Sequence, residues 1–138
     1  MLDLGSGSGI LTISAIKLGA QQVIALDIDS QAVSAARRNF RRLGINKQVK
    51  LARGSVPHPT AGPKSIDLAL ANISARGVVD RSPFILTALK PSGLFIASGL
   101  LNTQKQEVVD ALEPLGFSPI SEWPQDEWVT LLYRAPSV

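Results

Sequence analysis

An α/β domain with a mostly parallel sheet, closed near its carboxyl end by an antiparallel hairpin strand, is the fold this sequence predicts. Three observations carry that expectation. Short apolar runs alternate with helix-patterned segments along most of the chain, as in a parallel sheet covered on both faces. The first apolar run opens directly into a glycine at every second position, Gly5, Gly7 and Gly9, the arrangement found where a first parallel strand hands over to a helix. The last two apolar runs are separated by only a tight turn, which forces them antiparallel.

Taken in order, Met1–Leu4 is expected as strand one. A helix from about Ser8 to Leu18 follows, stopped by Gly19 at a left-handed cap position. Val23–Asp27 reads as strand two. Gln31–Leu43 reads as a basic helix ended by Gly44, with Asp29 or Ser30 capping its free N–H groups and Val33, Ala36, Phe40 and Leu43 turned to the core. Val49–Ala52 is strand three, and residues 56–64, with three prolines and a glycine, form a loop. Ile66–Ala71 is the fourth strand. A helix over Val79–Leu89 places Pro83 in its first turns, where a missing N–H matters least. Lys90–Gly93 turns into a fifth strand, Leu94–Ser98. Gln104–Leu115 is a helix stopped by Gly116, and Phe117–Glu122 and Trp128–Tyr133 pair across Pro124–Asp126. Each strand before the hairpin is expected to arrive through a helix. Residues 1–138 make one domain, without repeats or low-complexity segments.

Composition narrows the function classes. The absence of cysteine excludes a disulfide framework and a thiolate metal site, and a single histidine excludes a histidine metal cluster. No apolar run approaches the ~20 residues needed to span a bilayer, so a cytoplasmic protein without membrane contact is expected. Charged residues are 18% and apolar ones 45%, against about 25% charged in ordinary soluble domains, so the chain is slightly greasy for its size. Most of the net charge of +3 lies in Arg37, Arg38, Arg41, Arg42, Lys47, Lys50 and Arg53. With no aromatic residues interleaved as stacking platforms, these read as a solvated helix face rather than as a direct nucleic-acid contact.

The glycine run is the chemical centre of the sequence. Glycines permit the positive φ of a tight turn and let a ligand lie against bare backbone. A dinucleotide fingerprint starting at Gly5 requires glycine at position 10, where this chain has Ile10, so a nicotinamide oxidoreductase is disfavoured. Strand two ends in Asp27, a bidentate acceptor suited to two ribose hydroxyls, and Ile28 beside it offers an apolar face for a base. Asn72 ends strand four beside the glycine loop. Asp67 reads as a strand-edge residue, His58 as a solvent-exposed one without an acid or hydroxyl partner, and Trp123 and Trp128 as core or sheet-surface residues.

In order along the chain stand Asp3-Leu-Gly-Ser-Gly-Ser-Gly-Ile10, Ala25-Leu-Asp-Ile-Asp29, Asp67-Leu-Ala-Leu-Ala-Asn-Ile73, Leu89-Lys-Pro-Ser-Gly93, Ser98-Gly-Leu100 and Glu127-Trp-Val129. Together they resemble the catalytic domain of the ribosomal protein L11 methyltransferase family, a Rossmann-like class I methyltransferase fold. The resemblance implies transfer of a methyl group from S-adenosylmethionine to a lysine or N-terminal amine of a protein, a ribosomal protein among the candidates. It places Asp3, Gly5, Ser6, Gly7 and Gly9 at the cofactor, with Asp27 at its ribose and Gly54 and Ser55 at its adenine edge. Asn72 falls where sulfonium and substrate nitrogen meet, and Trp128 matches the family pattern near the substrate cleft. No metal is implied.

The chain also departs from that family. It begins inside strand one, without the sheet-covering segment that precedes it or the N-terminal substrate-recruiting domain. This predicts an open apolar sheet face and self-association, and it leaves the activity of the chain alone in question. Ser92 stands where glycine is frequent, and Ser74 where a bulkier apolar residue is, which bears on the shape of the substrate pocket. Two other readings stay open: a non-catalytic cofactor-binding or scaffold domain of the same descent, and a methyltransferase acting on RNA or a small molecule.

Overall fold

The computed structural model describes residues 1–138. Its strands are β1 (Leu2–Leu4), β2 (Val23–Asp27), β3 (Val49–Arg53), β4 (Ile66–Asn72), β5 (Leu89–Leu101), β6 (Ser118–Gln125) and β7 (Trp128–Arg134). The helices are α1 (Ile10–Lys17), α2 (Ser30–Arg42), α3 (Ala75–Ala88) and α4 (Lys105–Leu112). One sheet holds all seven strands in the order β3-β2-β1-β4-β5-β7-β6. Only β7 is reversed, antiparallel to both β5 and β6, so the mixed sheet is the one the sequence predicts.

That order fixes where a ligand can bind. The chain walks outward from β1 to β3, then returns to lay β4 along the other side of β1. At such a reversal the loops leave opposite ways and open a crevice at the carboxyl ends of the strands. The return follows the loop expected over residues 56–64 and contradicts the expectation that each strand arrives through a helix, because no helix lies between β3 and β4. Prolines at 57, 59 and 63 deny that segment a continuous N–H ladder. It buries Val56 and Ala61 in the main core instead, as a crossover helix would bury its apolar stripe.

The two sheet faces are unequally covered. A main core of 23 buried residues includes Val78 and Ile85 of α3 and Val108 and Leu112 of α4. Beneath α2, the second cluster is only Ala25, Ala36, Phe40 and Ile45. Alternation along β4 sends Ala69 and Ala71 to the main core, while Leu68 and Leu70 stay half-buried. Those two leucines line an open groove of about 770 Å³ whose other wall is α1, with Leu11, Ala15 and the exposed Leu18.

Several element boundaries differ from expectation, each for a local reason. α3 starts at Ala75 because Ser74 caps it, its Oγ accepting from Gly77 N at 3.1 Å; Ser74 thus serves the helix start. Pro83 is therefore in mid-helix. The carbonyl its missing N–H leaves free, that of Val79, accepts from Ser82 Oγ at 2.9 Å. Lys90–Gly93 belongs to β5 as a bulge between its pairings with Ile66 and Leu68, with Ser92 at φ 60, a left-handed backbone region that glycine adopts more readily than serine. Residues 102–115 form a 3₁₀ turn, α4 and a second 3₁₀ turn rather than one helix. β6 continues through Pro124 and Gln125, leaving Asp126 and Glu127 as the hairpin turn. Leu43 lies beyond the last turn of α2 and is exposed; Ile45 is buried in its stead.

Candidate active site

The glycine loop is fastened to β2 through Leu26, whose carbonyl accepts from Gly5 N and Ser6 N at 2.8 and 3.1 Å. Gly7 has φ +57, and a side chain there would meet nothing within 4 Å. Its face is open. At Gly5 a side chain would collide with Ile73 and crowd the Asn72 carbonyl, so this glycine lets the loop lie against the end of β4. Gly9, one of the expected cofactor contacts, faces the Phe40 ring. It serves the packing of α2 on the loop.

Asp3 lies beneath the loop, fully buried. One carboxylate oxygen accepts from Thr12 Oγ1 at 2.7 Å; the other, Oδ1, has no partner, and neither does the buried Ser6 Oγ. These are the only two buried side-chain polar atoms of the chain left unpaired, and a buried polar group without a partner calls for a water, an ion, a ligand or a functional role to account for it. Burial pushes the Asp3 carboxyl above its ordinary pKa, opposed by the Thr12 hydroxyl and reinforced by the charge of Asp27.

Asp27 closes the loop from the β2 side. Its Oδ2 accepts from Gly7 N at 2.8 Å and its Oδ1 from Asp29 N at 2.9 Å. Each oxygen keeps a further lone pair for a hydroxyl donor. Ile28 beside it is exposed, and Asp29 caps α2 by accepting from Gln31 N at 2.9 Å. Gly54 N donates to the Asp27 carbonyl at 2.9 Å, which brings Gly54 and Ser55 to the same rim. His58 departs from expectation: it is half-buried, its Nδ1 is 2.7 Å from Thr60 Oγ1, and its ring lies over Gly54. The turn that returns the chain to β4 folds the imidazole inward.

Across the switch point, Asn72 ends β4 paired with Ser98 of β5. Its carboxamide is exposed, bonds to no other residue, and stands over Gly99. A cleft of about 400 Å³ opens beside it, walled by Trp123 and Trp128 and floored by Ser98 and Thr130, whose hydroxyls are 3.1 Å apart. Both indoles are about half exposed, on the sheet surface and outside the core. No lining side chain is ionisable at neutral pH. A substrate entering here meets acceptors and aromatic walls and no general base.

The loop half and the cleft half of the site meet at the contact between Gly5 and the end of β4. Five of the expected residues, Gly7, Asp27, Ile28, Gly54 and Ser55, share one rim, with Asp3 and Ser6 below it and Asn72 across it. Sequence reasoning missed Thr12, the partner of Asp3, and Asn39, whose Nδ2 donates to Ser8 O at 2.9 Å and ties α2 to the loop. It also missed Trp123, Ser98 and Thr130. A hydroxyl within the apolar run of α1 was the available signal for Thr12. Trp123 becomes visible only once the hairpin register opposes it to Thr130.

Comparison with known proteins bears on what this arrangement does. Residues 1–136 match the family model described as ribosomal protein L11 methyltransferase (PrmA). A ribosomal protein L11 methyltransferase of Chloroflexus aurantiacus is 39% identical over 158 residues, covering 99% of this chain and 48% of the relative. One from Symbiobacterium thermophilum is 40% identical over 136 residues, covering 99% and 43%. The crystal structure of ribosomal protein L11 methylase from Lactobacillus delbrueckii subsp. bulgaricus superimposes with a TM-score of 0.82 at 31% identity, over 97% of this chain and 69% of that one. The chain spans less than half the length of the curated relatives it matches.

Proposed function

Because the chain belongs to the ribosomal protein L11 methyltransferase family, we propose that residues 1–138 are the catalytic domain of an S-adenosylmethionine-dependent protein N-methyltransferase acting on a lysine or N-terminal amine of a ribosomal protein. The observation that carries the proposal is the meeting, at one switch point, of a bare-backbone loop over two unpaired polar atoms and a lone carboxamide beside an uncharged cleft.

The residues present fit the cofactor. Gly7 leaves room for a ligand against the backbone, Asp27 has acceptor capacity for ribose hydroxyls, and Ile28 with Gly54 and Ser55 offers a surface for adenine. Asp3 Oδ1 and Ser6 Oγ are the groups that await a polar partner. When bound, S-adenosylmethionine supplies an electrophilic methyl group on a positively charged sulfur. The work left to the protein is alignment, which in well-oriented systems is worth about 7–11 kcal/mol.

Asn72 is the catalytic residue of this scheme. Its Oδ1 accepts an N–H of the incoming amine, which points the nitrogen lone pair away from the carboxamide and stabilises positive charge growing on nitrogen. The amine must be neutral to react. With no carboxylate lining the cleft to hold an ammonium, desolvation favours the deprotonated form, and the proton leaves to solvent at the open mouth. The indoles of Trp123 and Trp128 flank the alkyl stem.

Calorimetric titration with S-adenosylhomocysteine tests the cofactor half. Wild type binds, and Asp27→Ala binds at least about tenfold more weakly, as expected for hydrogen bonds to a charged group. Asn72→Ala keeps that affinity while methyl transfer to a lysine peptide drops about 10²-fold, the scale for losing one preorganised polar group. Equal affinity in Asp27→Ala, or unimpaired turnover in Asn72→Ala, would remove those residues from the scheme.

A further inference from the structure

Residues 30–66 contain eight Lys or Arg and no Asp or Glu, in a chain whose whole excess is +3. Folding gathers seven of the eight on one edge of the molecule. Arg37, Arg38, Arg41 and Arg42 are exposed on α2, Lys47 in the turn that follows, and Lys50 and Arg53 on the outermost strand β3. None of them joins the ion pairs of the structure, which are Arg76–Asp80, Lys90–Asp67 and Lys105–Glu122. Composition alone favours a solvated face. A face meant only for solubility interleaves both signs, whereas here Arg37 faces Arg41 and Arg38 faces Arg42 at i,i+4, a spacing at which like charges weaken a helix. The opposite edge carries Asp126 and Glu127 in the β6–β7 turn, with Glu122 already paired to Lys105, so the unpaired positive excess lies on the α2–β3 edge.

We propose that the α2–β3 edge docks the phosphodiester backbone of RNA. Four guanidinium groups within two helical turns suit phosphate oxygens, which they bind as planar forks. An acidic protein segment would need apolar anchors among the charges, and the exposed large apolar residues beside them are Leu43 at the end of α2 and Ile28 next to Arg53, the latter given above to the adenine surface. Without aromatic residues the face has no platform for bases, so it reads phosphates rather than sequence. The choice of RNA as the source of those phosphates rests on the function proposed above, since the surroundings of a ribosomal protein are RNA. The polyanion chemistry rests on charge placement alone. The edge lies on the β3 side of the switch point and the Asn72 cleft on the β5–β7 side, so RNA held there leaves the cleft open to an acceptor.

Fluorescence anisotropy with a labelled single-stranded 20-nucleotide RNA, from 50 to 200 mM KCl, tests this. Wild type binds with an affinity that falls steeply with salt. Arg37→Gln/Arg41→Gln binds at least tenfold more weakly at 50 mM, with a log–log salt slope shallower by about 1.4, the value for two phosphate contacts on a single strand. Lys17→Gln/Lys64→Gln removes the same charge elsewhere and leaves the slope unchanged. No binding at 50 mM, equal losses in the two double variants, or equal displacement by polyglutamate of matched charge would each overturn the proposal. S-adenosylhomocysteine titration separates this from the proposed function. An unaffected Arg37→Gln/Arg41→Gln confines the defect to the basic edge, while wild type that binds RNA but not the cofactor analogue overturns only the enzymatic reading.

Discussion

Asp3 is a carboxylate without exposed surface and with one of its two oxygens bonded. Its folded-state pKa lies above its unfolded value because burial disfavours the charge. Such a group contributes stability that is fully present below the unfolded pKa and is lost as pH rises through the folded one. The stability of wild type relative to Asp3→Asn should therefore fall as pH climbs from the ordinary value of 3.8 and then level off, read from urea midpoints over that range. A relative stability that rises there instead would rule out burial as the dominant cause. Thr12→Val strips the one hydrogen bond of the buried carboxyl and should cost roughly 1–3 kcal/mol, the range for leaving a buried polar group unsatisfied. The motif identifies Asp3 in the sequence, but its depth does not show there. Burial depends on β1 lying between β2 and β4 and on Thr12 of α1 closing on the carboxyl, an arrangement of segments far apart in the chain.

In α3, Pro83 makes a helix starting at Val79 the economical reading of the sequence, since proline is best tolerated in a first turn. The helix starts a full turn earlier because Ser74 caps it and Ala75 and Val78 are buried on the sheet side. It tolerates a mid-helix proline because the buried Ser82 hydroxyl bonds the carbonyl that Pro83 leaves without a donor. Ser82→Ala should cost about 1–3 kcal/mol, the penalty for an unsatisfied buried acceptor. In a Pro83→Ala background residue 83 regains an N–H for the same carbonyl, so the cost of Ser82→Ala should shrink. Chemical denaturation of the four-member cycle measures that coupling, and additive costs would show that the hydroxyl does not stand in for the missing N–H. β5 teaches the same lesson, since its bulge at Lys90–Gly93 reads as a turn until its pairing on both sides is known.

At the scale of the molecule, topology was largely legible. Alternating runs and a tight final turn are local signals, and they suffice for a parallel sheet with one reversed strand. The cleft was not, because its walls come from β4, β5, β6 and β7 and depend on register across three strand pairs. The unequal covering of the sheet has a solution consequence. The groove between α1 and β4, with Leu11, Leu18, Leu68 and Leu70 along it, should make this 14.7 kDa chain associate with rising concentration. Sedimentation equilibrium should show a weight-average mass above the monomer's that Leu18→Glu lowers. A wild-type mass that stays monomeric up to millimolar concentration would show that the groove is tolerated in water. No helix is long and apolar enough to cross a membrane.

The two tryptophans of the chain both stand half exposed at the mouth of one cleft, and the core holds none. Intrinsic emission from this protein is consequently a report on that mouth. Excited at the indole band, the native chain already emits from partly wet surroundings, so loss of the fold shifts its spectrum little. A molecule settling between the indoles changes their brightness directly. The hairpin is a built-in optical gauge of occupancy, and the core is optically silent at that wavelength.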